Sequence, residues 1–153
     1  MPVSVGIGYD SHRFADDRKL ILGGIEVPYE KGLSGHSDAD VLTHAAIDAI
    51  LGAAGLGDIG EVFPDTDPAW AGADSIGLLN TVVGMLRGPI RNIDATLICE
   101  EPKLGPHRPA MVAKLGEVTG ARVSVKATTN ERMGWIGRGE GIACMAVATV
   151  DLD

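Results

Sequence analysis

Residues 3–12, VSVGIGYDSH, alternate strictly between two kinds of position, and this alternation limits the folds open to the chain. Apolar side chains fill one set of positions, whereas the other set ends in a carboxylate and an imidazole after two glycines. A repeat of two residues is that of a β-strand, whose successive side chains point to opposite faces. The segment therefore predicts a first strand with one apolar face and with Asp10 and His12 on the other.

Further strands and helices are predicted along the rest of the chain. Strands are expected at residues 19–28 (a hairpin turning at Gly23-Gly24), 90–99, 121–129 and 141–151. Helices are expected from the capping-box pattern Ser37-x-x-Asp40 to Gly52–Gly55, from Asp74-Ser75 to about Arg87, and over Pro106–Val118. Residues 55–72 form a long loop, and such loops are usually functional or disordered. The prediction is an α+β fold: a single domain over residues 1–153, with a mixed β-sheet and helices packed on one face.

Charge and composition narrow the classes of partner. The net charge of -8 repels nucleic-acid backbones and anionic membranes, so we expect no nucleic-acid partner and no membrane association. No apolar run approaches the roughly 20 residues of a membrane span, and the expected location is the cytoplasm. Cys99 and Cys144 lie far apart in apolar runs, which indicates buried thiols rather than a cysteine zinc site. Few aromatic residues (4%) and 21 glycines point towards a core completed by oligomerisation.

Asp10 and His12 are the sharpest chemical signal. Their spacing of two on a strand puts both side chains on one face, and carboxylates and neutral imidazoles are common zinc ligands. His44 is the candidate third ligand, since catalytic zinc typically has three protein ligands and one open position. The simpler alternative at His44 is a satisfied core or surface histidine. Asp48, one turn later, either orients His44 or faces water.

Other polar positions carry weaker signals. His36 precedes the helix start, where free N–H groups suit a phosphate, although a solvated loop histidine explains it equally well. Asp38 and Asp40 are expected to be first-turn acids that complement the helix dipole. Residues 128–131 can bind a hard cation or phosphate oxygens, and Arg138 either reaches a phosphate or lies in a simple turn. The loop acids offer ligands for hydroxyls or a second metal, or are solvated turn formers; they are Asp58, Asp65 and Asp67.

Five segments together resemble the 2-C-methyl-D-erythritol 2,4-cyclodiphosphate synthases, enzymes of the non-mevalonate isoprenoid pathway. They occur in the family's order: GIGYDSHRF (6–14), residues 28–68, EPKLGPH (101–107), VKATTNE (125–131) and GRGEGIAC (137–144). The resemblance implies a lyase that converts 4-diphosphocytidyl-2-C-methyl-D-erythritol 2-phosphate to 2-C-methyl-D-erythritol 2,4-cyclodiphosphate and releases CMP. It also implies a homotrimer assembled around the sheets, with active sites at subunit boundaries and an axial cavity for an apolar isoprenoid-like ligand.

The resemblance assigns roles to individual residues. The implied metal sites are Zn2+ at Asp10, His12 and His44, and Mg2+ or Mn2+ near Glu131. The implied transition-state stabilisers are His36 and Thr129. The implied contacts of the cytidine diphosphate part are Glu100, Pro102, Lys103, Leu104, Gly105, Thr128 and Asn130. The implied contacts of the methylerythritol phosphate are Ser37, Asp58, Ile59, Gly60, Phe63 and Asp65, and the remaining expected substrate contacts are Trp135 and Arg138.

The implied reaction suits an acidic chain. The substrate carries its own nucleophile, so the enzyme must neutralise charge and fold the substrate onto itself, which two divalent ions do at a net charge of -8. Two other interpretations remain open: a phosphohydrolase in which zinc activates water, and a non-catalytic trimeric module that binds an isoprenoid-like ligand. Glu61, Asn130 and Trp135 depart from residues common in the family (often Lys, Thr and Phe), and we expect them to alter loop contacts rather than chemistry.

Overall fold

A five-stranded mixed sheet organises the molecule, which the computed structural model describes over residues 2–153. The strands in chain order are β1 (Val3–Ala15), β2 (Leu20–Leu22), β3 (Ile25–Val27), β4 (Gly32–Leu33), β5 (Ile90–Ile98), β6 (Arg122–Thr128) and β7 (Gly141–Asp151). The sheet has the order β4-β1-β7-β5-β6, in which β5 and β6 are parallel and the other neighbours are antiparallel. Strands β2 and β3 form a separate hairpin.

Two of the three longer helices pack against this sheet, and the third packs against those two helices. The helices in chain order are α1 (Val41–Ala54), α2 (Ile59–Val62), α3 (Ser75–Met85), α4 (Arg108–Thr119) and α5 (Gly134–Gly137), with 3-10 turns at Pro68–Trp70 and Gly105–His107. Helix α1 crosses β1, β7 and β5, helix α4 contacts β6, and α3 contacts both helices. The prediction of an α+β fold with a mixed sheet is confirmed.

Two glycines of β1 allow α1 to lie directly on the sheet. A Cβ at Gly6 would come within 2.0 Å of the Ala49 carbonyl oxygen, and one at Gly8 within 2.0 Å of the Ala45 carbonyl oxygen. The facing side of the helix carries buried alanines at every fourth position, Ala45, Ala49 and Ala53. Because neither surface has a bulky side chain, the backbones approach closely. This contact sets the separation between the two elements that carry the predicted metal ligands.

One face of the sheet is covered by helices, and the other is exposed. The face under α1 closes on a core of aliphatic side chains, among which Ile47, Leu97 and Leu115 have no exposed surface. The other face is apolar but open, and its exposed apolar residues are Val3, Val5, Ile7 and Tyr9 of β1 with Met145 and Val147 of β7. We call these six residues the apolar sheet face. Contiguous exposed apolar surface of this kind usually marks an interaction site.

The start of α1 differs from the predicted capping box. The N-cap is Asp40 rather than Ser37, and its Oδ1 accepts the amide of Thr43 at 3.0 Å. Asp40 is fully buried and also accepts the amides of Gly23–Gly24, both at 2.8 Å, so one carboxylate ties the β2–β3 hairpin to α1. The expectation that Asp38 and Asp40 are first-turn acids is wrong, because both precede the helix and bind specific donors.

The other boundaries lie close to the predicted ones. Strand β7 spans the predicted 141–151, and the hairpin turns at Gly23–Gly24, whose φ angles of 61° and 73° are left-handed. The helix predicted over 106–118 begins later, at Arg108, after a 3-10 turn. The predicted long loop contains α2 and another 3-10 turn. Within residues 2–153, no helix combines the length and the apolar character needed to cross a membrane.

Candidate metal centre and adjoining cavities

The three side chains predicted as metal ligands come together between β1 and α1. Asp10 and His12 project from the same face of β1, and His44 projects from the first turn of α1. The Asp10 Oδ2 atom lies 2.8 Å from His12 Nε2 and 3.1 Å from His44 Nδ1. One ligand atom from each residue lies within 4.8 Å of the others, a spacing that can hold one metal ion. We call this group the triad.

A backbone carbonyl orients the ring of His12. The His12 Nδ1 atom lies 2.8 Å from the carbonyl oxygen of Ser34. Because a carbonyl oxygen only accepts, Nδ1 carries the proton of this hydrogen bond. In the neutral ring the lone pair is then on Nε2, the nitrogen that faces Asp10. Donation from the outer nitrogen to a carbonyl is the usual way in which a metal-binding histidine is fixed.

A buried serine and a carboxylate orient the ring of His44. The Ser75 Oγ atom lies 2.7 Å from His44 Nε2, and the Ser75 hydroxyl also donates to Asp38 Oδ1. Because the single hydroxyl proton goes to the carboxylate, Ser75 accepts a hydrogen bond from His44 Nε2–H. The lone pair of the neutral His44 ring is therefore on Nδ1, towards Asp10. The Ser75 amide donates to Asp38 at 3.0 Å and closes the arrangement.

Protons and a metal ion compete for the triad. Burial by itself would raise the pKa of Asp10, but the hydrogen bonds and charges of His12 and His44 outweigh it and lower that pKa. Burial by itself would lower the pKa of His12, but the hydrogen bond and charge of Asp10 outweigh it and raise that pKa. A cation that binds here therefore displaces a proton that Asp10 helps to hold on His12.

The donor set fits a divalent cation. Two imidazole nitrogens and one carboxylate oxygen converge, and the outer N–H of each ring is already fixed by a hydrogen bond. Three protein ligands with one open position are typical of catalytic zinc. Imidazole and carboxylate also suit other first-row divalent ions, so the donor set specifies a class of ion rather than zinc alone.

A cavity of about 300 Å³ adjoins the triad. Its lining includes His12 and His44 and six of the predicted site residues, namely His36, Ser37, Ile59, Gly60, Phe63 and Asp65. Ser37 stands at the boundary with the triad, because its Oγ lies 3.2 Å from His44 Nε2. Phe63 and Trp70 pack edge to face with ring centroids 4.8 Å apart and form an apolar wall. We call this space the triad cavity.

Two acids near the triad cavity have structural partners. Asp58 is the N-cap of α2, and its Oδ1 accepts the amide of Glu61 at 2.9 Å. Asp48 Oδ1 accepts the amide of Ile59 at 2.8 Å, so its carboxylate is directed at the start of α2 rather than at His44. Burial is the main cause of the raised pKa of Asp48. Both carboxylates therefore hold the segment that forms one wall of the cavity.

A second cavity of about 400 Å³ lies at the ends of β5 and β6. Its lining includes Thr129 and six of the predicted nucleotide contacts, namely Glu100, Pro102, Lys103, Leu104, Gly105 and Thr128. The strand register pairs Thr128 of β6 with Ile98 of β5. Ile98 in turn pairs with a β7 residue, and the preceding β7 residue pairs with His12 of β1. The two cavities therefore lie at the same end of the sheet, three strand spacings or roughly 14 Å apart. Across the described residues they share no lining residue.

The remaining predicted site residues lie in and after the turn that follows β6. Asn130 Nδ2 donates to the Met133 carbonyl at 2.9 Å, and Glu131 is exposed. Trp135 lines a further cavity together with His12. Arg138 forms an ion pair with Glu140. The structure thus places Trp135 on the triad side of the sheet end, whereas the turn residues adjoin the second cavity.

Sequence reasoning missed the groups that hold the two histidines. Ser75 lies 31 residues from His44 in the chain, and Asp38 lies 37 residues from Ser75, so no local pattern connects them. Ser75 is visible in the sequence only as a residue at a predicted helix start. Its complete burial, which would distinguish it from an ordinary first-turn serine, depends on packing between α3 and α1.

Comparison with known proteins identifies the family of this chain. A family model described as the YgbB family matches residues 3–151. The 2-C-methyl-D-erythritol 2,4-cyclodiphosphate synthase of Symbiobacterium thermophilum is 58% identical over 153 residues, which cover 95% of this chain and 97% of that protein. The synthase of the same name from Geotalea daltonii is 58% identical over 150 residues, which cover 94% of this chain and 88% of that protein.

Solved structures show the same fold. The bifunctional IspDF of Campylobacter jejuni has a TM-score of 0.94 and 40% identity, covering 99% of this chain and 43% of that one. A CDP-bound 2C-methyl-D-erythritol-2,4-cyclodiphosphate synthase has a TM-score of 0.88 and 36% identity, covering 96% of this chain and 99% of that one. The Plasmodium falciparum IspF–CDP complex has a TM-score of 0.85 and 29% identity, covering 99% of this chain and 97% of that one. Since the family model spans nearly every residue and curated relatives share more than half of the aligned positions, the chain belongs to the YgbB family.

Proposed function

We propose that this chain converts 4-diphosphocytidyl-2-C-methyl-D-erythritol 2-phosphate to 2-C-methyl-D-erythritol 2,4-cyclodiphosphate with release of CMP, a step of the non-mevalonate isoprenoid pathway. An oxygen of the 2-phosphate bonds to the β-phosphorus, and the bond from that phosphorus to the bridging oxygen breaks, so CMP leaves. The observation that carries the proposal is the convergence of Asp10, His12 and His44 beside a cavity lined by His36 and Ser37. The names of the curated relatives support the same reaction.

Each cavity takes one part of the substrate in this proposal. The triad cavity receives the methylerythritol phosphate, and its Phe63–Trp70 wall excludes water, which favours cyclisation over hydrolysis. The second cavity receives the cytidine diphosphate, and Lys103 in its lining offers a positive charge. His36 and Thr129 stabilise charge on the phosphate oxygens in the transition state.

Zn2+ is the proposed ion at the triad, and Mg2+ or Mn2+ the proposed ion near Glu131. A bound divalent ion supplies Lewis-acid neutralisation of phosphate charge, which an acidic chain of net charge -8 otherwise lacks. The triad provides nitrogen and oxygen donors, and Glu131 provides a hard carboxylate in a cavity shared with Thr129.

Incubation of the metal-loaded protein with the authentic substrate tests the reaction. Chromatography should show CMP, and phosphorus NMR should show a cyclic diphosphate in equal amount. Linear phosphates would instead identify a phosphohydrolase, and binding without turnover would identify a non-catalytic module. His36→Ala should reduce kcat by about 100-fold or more if its imidazole acts on transition-state charge.

Substitution of the triad tests the metal site separately. His12→Ala and His44→Ala should each lose stoichiometric zinc after dialysis, as measured by elemental analysis, and Asp10→Ala should lose turnover. His107→Ala is the matched control, because His107 lies in a 3-10 turn before α4 and outside the triad. Tight stoichiometric zinc in both histidine variants would reject the ligand assignment.

The proposal includes a homotrimer assembled through the apolar sheet face. Val5 and Ile7 are each 66% exposed there, and a second copy of the chain offers a matching apolar surface. The two cavities have no lining residue in common, so one copy's triad cavity facing a neighbour's second cavity would complete a site. Ile7→Glu should give monomers in light scattering and lose CMP release while keeping zinc. Asn80→Glu, on the exposed side of α3, is the control and should stay trimeric.

Three smaller parts of the proposal have their own tests. An apolar isoprenoid-like ligand is proposed in the axial cavity enclosed by three apolar sheet faces, and titration with farnesol should give heat with the wild type but not with Ile7→Glu. Residues 1–153 are proposed as one synthase domain, which predicts a single cooperative unfolding transition. The proposed compartment is the cytoplasm, which cell fractionation tests.

A further inference from the structure

Both carboxylate oxygens of Glu100 are bound to the backbone of a turn far away in the sequence. Glu100 follows the end of β5 and is half-buried. Its Oε2 accepts the amide of Asn130 at 2.7 Å, and its Oε1 accepts the amide of Arg132 at 3.2 Å. Hydrogen bonds from amides to an ionised carboxylate are stronger than those to a neutral acceptor. The side chain therefore clamps two amides that are two residues apart.

The clamped turn has an unfavourable backbone conformation. Glu131 and Arg132 have φ angles of 53° and 61°, so two consecutive residues with side chains are left-handed. Such residues persist where the surrounding structure holds them in place. On one side Gly137 packs so closely that a Cβ there would lie 2.0 Å from the carbonyl carbon of Arg132. On the other side Glu100 holds the amides.

Thr129, just before this turn, and Glu131, within it, carry polar side chains that face a cavity at this end of the sheet. Thr129 and Glu131 line one cavity of about 350 Å³ together with Glu100. The Glu131 amide donates to Thr129 Oγ1 at 3.3 Å, so the direction of one side chain depends on the backbone of the other. If the turn relaxed to a right-handed conformation, both side chains would point elsewhere.

We infer that Glu100 is a positioning residue: its carboxylate holds residues 130–132 in the left-handed turn that aims Thr129 and Glu131 at the substrate. The inference rests on the proposed function, in which those two side chains act on the diphosphate. It adds a role to the substrate contact expected for Glu100, because each of its oxygens already accepts one backbone amide.

Two variants at Glu100 and two control variants test the inference on the metal-loaded protein. In Glu100→Ala, NMR-detected exchange of the amides of Asn130 and Arg132 should accelerate about 10-fold or more, because both lose a charged acceptor. Glu100→Gln keeps one acceptor oxygen and should give intermediate exchange. Glu101→Ala removes the neighbouring charge and should leave both amides protected. Glu117→Ala, an exposed position of α4, controls for activity.

Steady-state kinetics separate positioning from simple stabilisation. Glu100→Ala should lower kcat by about 10- to 100-fold with a smaller rise in KM, because Thr129 is proposed to act in the transition state. Glu100→Gln should recover part of kcat, and Glu117→Ala should retain the wild-type value. Unchanged amide exchange in Glu100→Ala, equal acceleration in Glu101→Ala, or a Gln variant no better than Ala in both readouts would each overturn the inference. Absence of CMP release from the wild type would reject the proposed function, while the exchange result would still decide the clamp.

Discussion

A Gly8→Ala substitution should weaken zinc binding by moving α1 away from β1. A Cβ at residue 8 would lie 2.0 Å from the Ala45 carbonyl oxygen and 2.8 Å from the Ala49 nitrogen. Since real Cβ atoms stay beyond 3.0 Å, strand and helix must separate by at least about 1 Å. His44 adjoins Ala45, and Asp10 lies two residues beyond Gly8, so the displacement falls across the triad.

The expected magnitude follows from how little a metal site tolerates. Ligand distances are held within about 0.2 Å, so a shift of 1 Å removes most of what His44 contributes. Loss of a hydrogen bond that merely orients a metal ligand already costs about 10- to 100-fold in metal affinity. For Gly8→Ala we therefore expect zinc affinity to fall by about 100-fold or more, or roughly 2.7 kcal/mol. Overpacking should cost a further 1–3 kcal/mol or so of folding stability, which lowers the Tm of the metal-free protein by about 2–12 °C.

Two glycine variants make this experiment decisive. Competition with a chromophoric chelator gives the zinc Kd, and calorimetry gives the Tm. In Gly6→Ala the new Cβ would also meet a helix carbonyl at 2.0 Å, but farther from Asp10, so stability should fall with a smaller loss of zinc affinity. In Gly52→Ala the new Cβ would meet β1 only at 3.9 Å, an ordinary contact distance, and stability should be unchanged or raised by up to about 1 kcal/mol. Wild-type zinc affinity in Gly8→Ala would refute the reasoning.

Three further predictions concern groups outside that contact. Asp40→Ala should lower the free energy of unfolding by about 3–5 kcal/mol, because the amides of Gly23–Gly24 and Thr43 lose their acceptor. A loss below about 1 kcal/mol in urea denaturation would contradict this. Ser75→Ala should weaken zinc binding about 10-fold or more without unfolding the chain, and unchanged affinity in chelator competition would show that Ser75 does not orient His44. Burial raises the pKa of Cys99 to about 11, so roughly one thiol in a thousand is ionised near pH 8; iodoacetamide should label it slowly in the folded protein and rapidly in urea, and fast labelling of the folded state would argue against a buried thiol.

Local patterns predicted the elements whose cause is local. The alternation of β1, the apolar run of β7 and the Gly23–Gly24 turn each follow from neighbouring residues, and the structure has them at the predicted positions. The cap of α1 was misplaced because two candidate caps lie three residues apart. Ser37 and Asp40 both suit an N-cap, and what selects Asp40 is a hairpin 16 and 17 residues away in the sequence.

The contacts that orient the site could not be read from neighbouring residues. Ser75 and Glu100 look like ordinary polar residues at the ends of elements, and only the fold brings them to His44 and to the 130–132 turn. Candidate ligands were easier to find, because a ligand must have a particular chemistry. A residue that holds a ligand in place needs only a donor or an acceptor at the correct distance, and many residue types supply one.

Packing and the proposed metal site are coupled in this chain because one face of β1 carries both. Gly6, Gly8, Asp10 and His12 are alternate residues, so a helix that lies on the glycines runs directly past the ligands. The alanines of α1 rest on the glycines, and His44, next to Ala45, is turned by about 100° around the helix from that row towards Asp10. Zinc affinity should therefore follow the distance between α1 and β1, whereas changes in the walls of the triad cavity alter substrate contacts without moving the metal ligands.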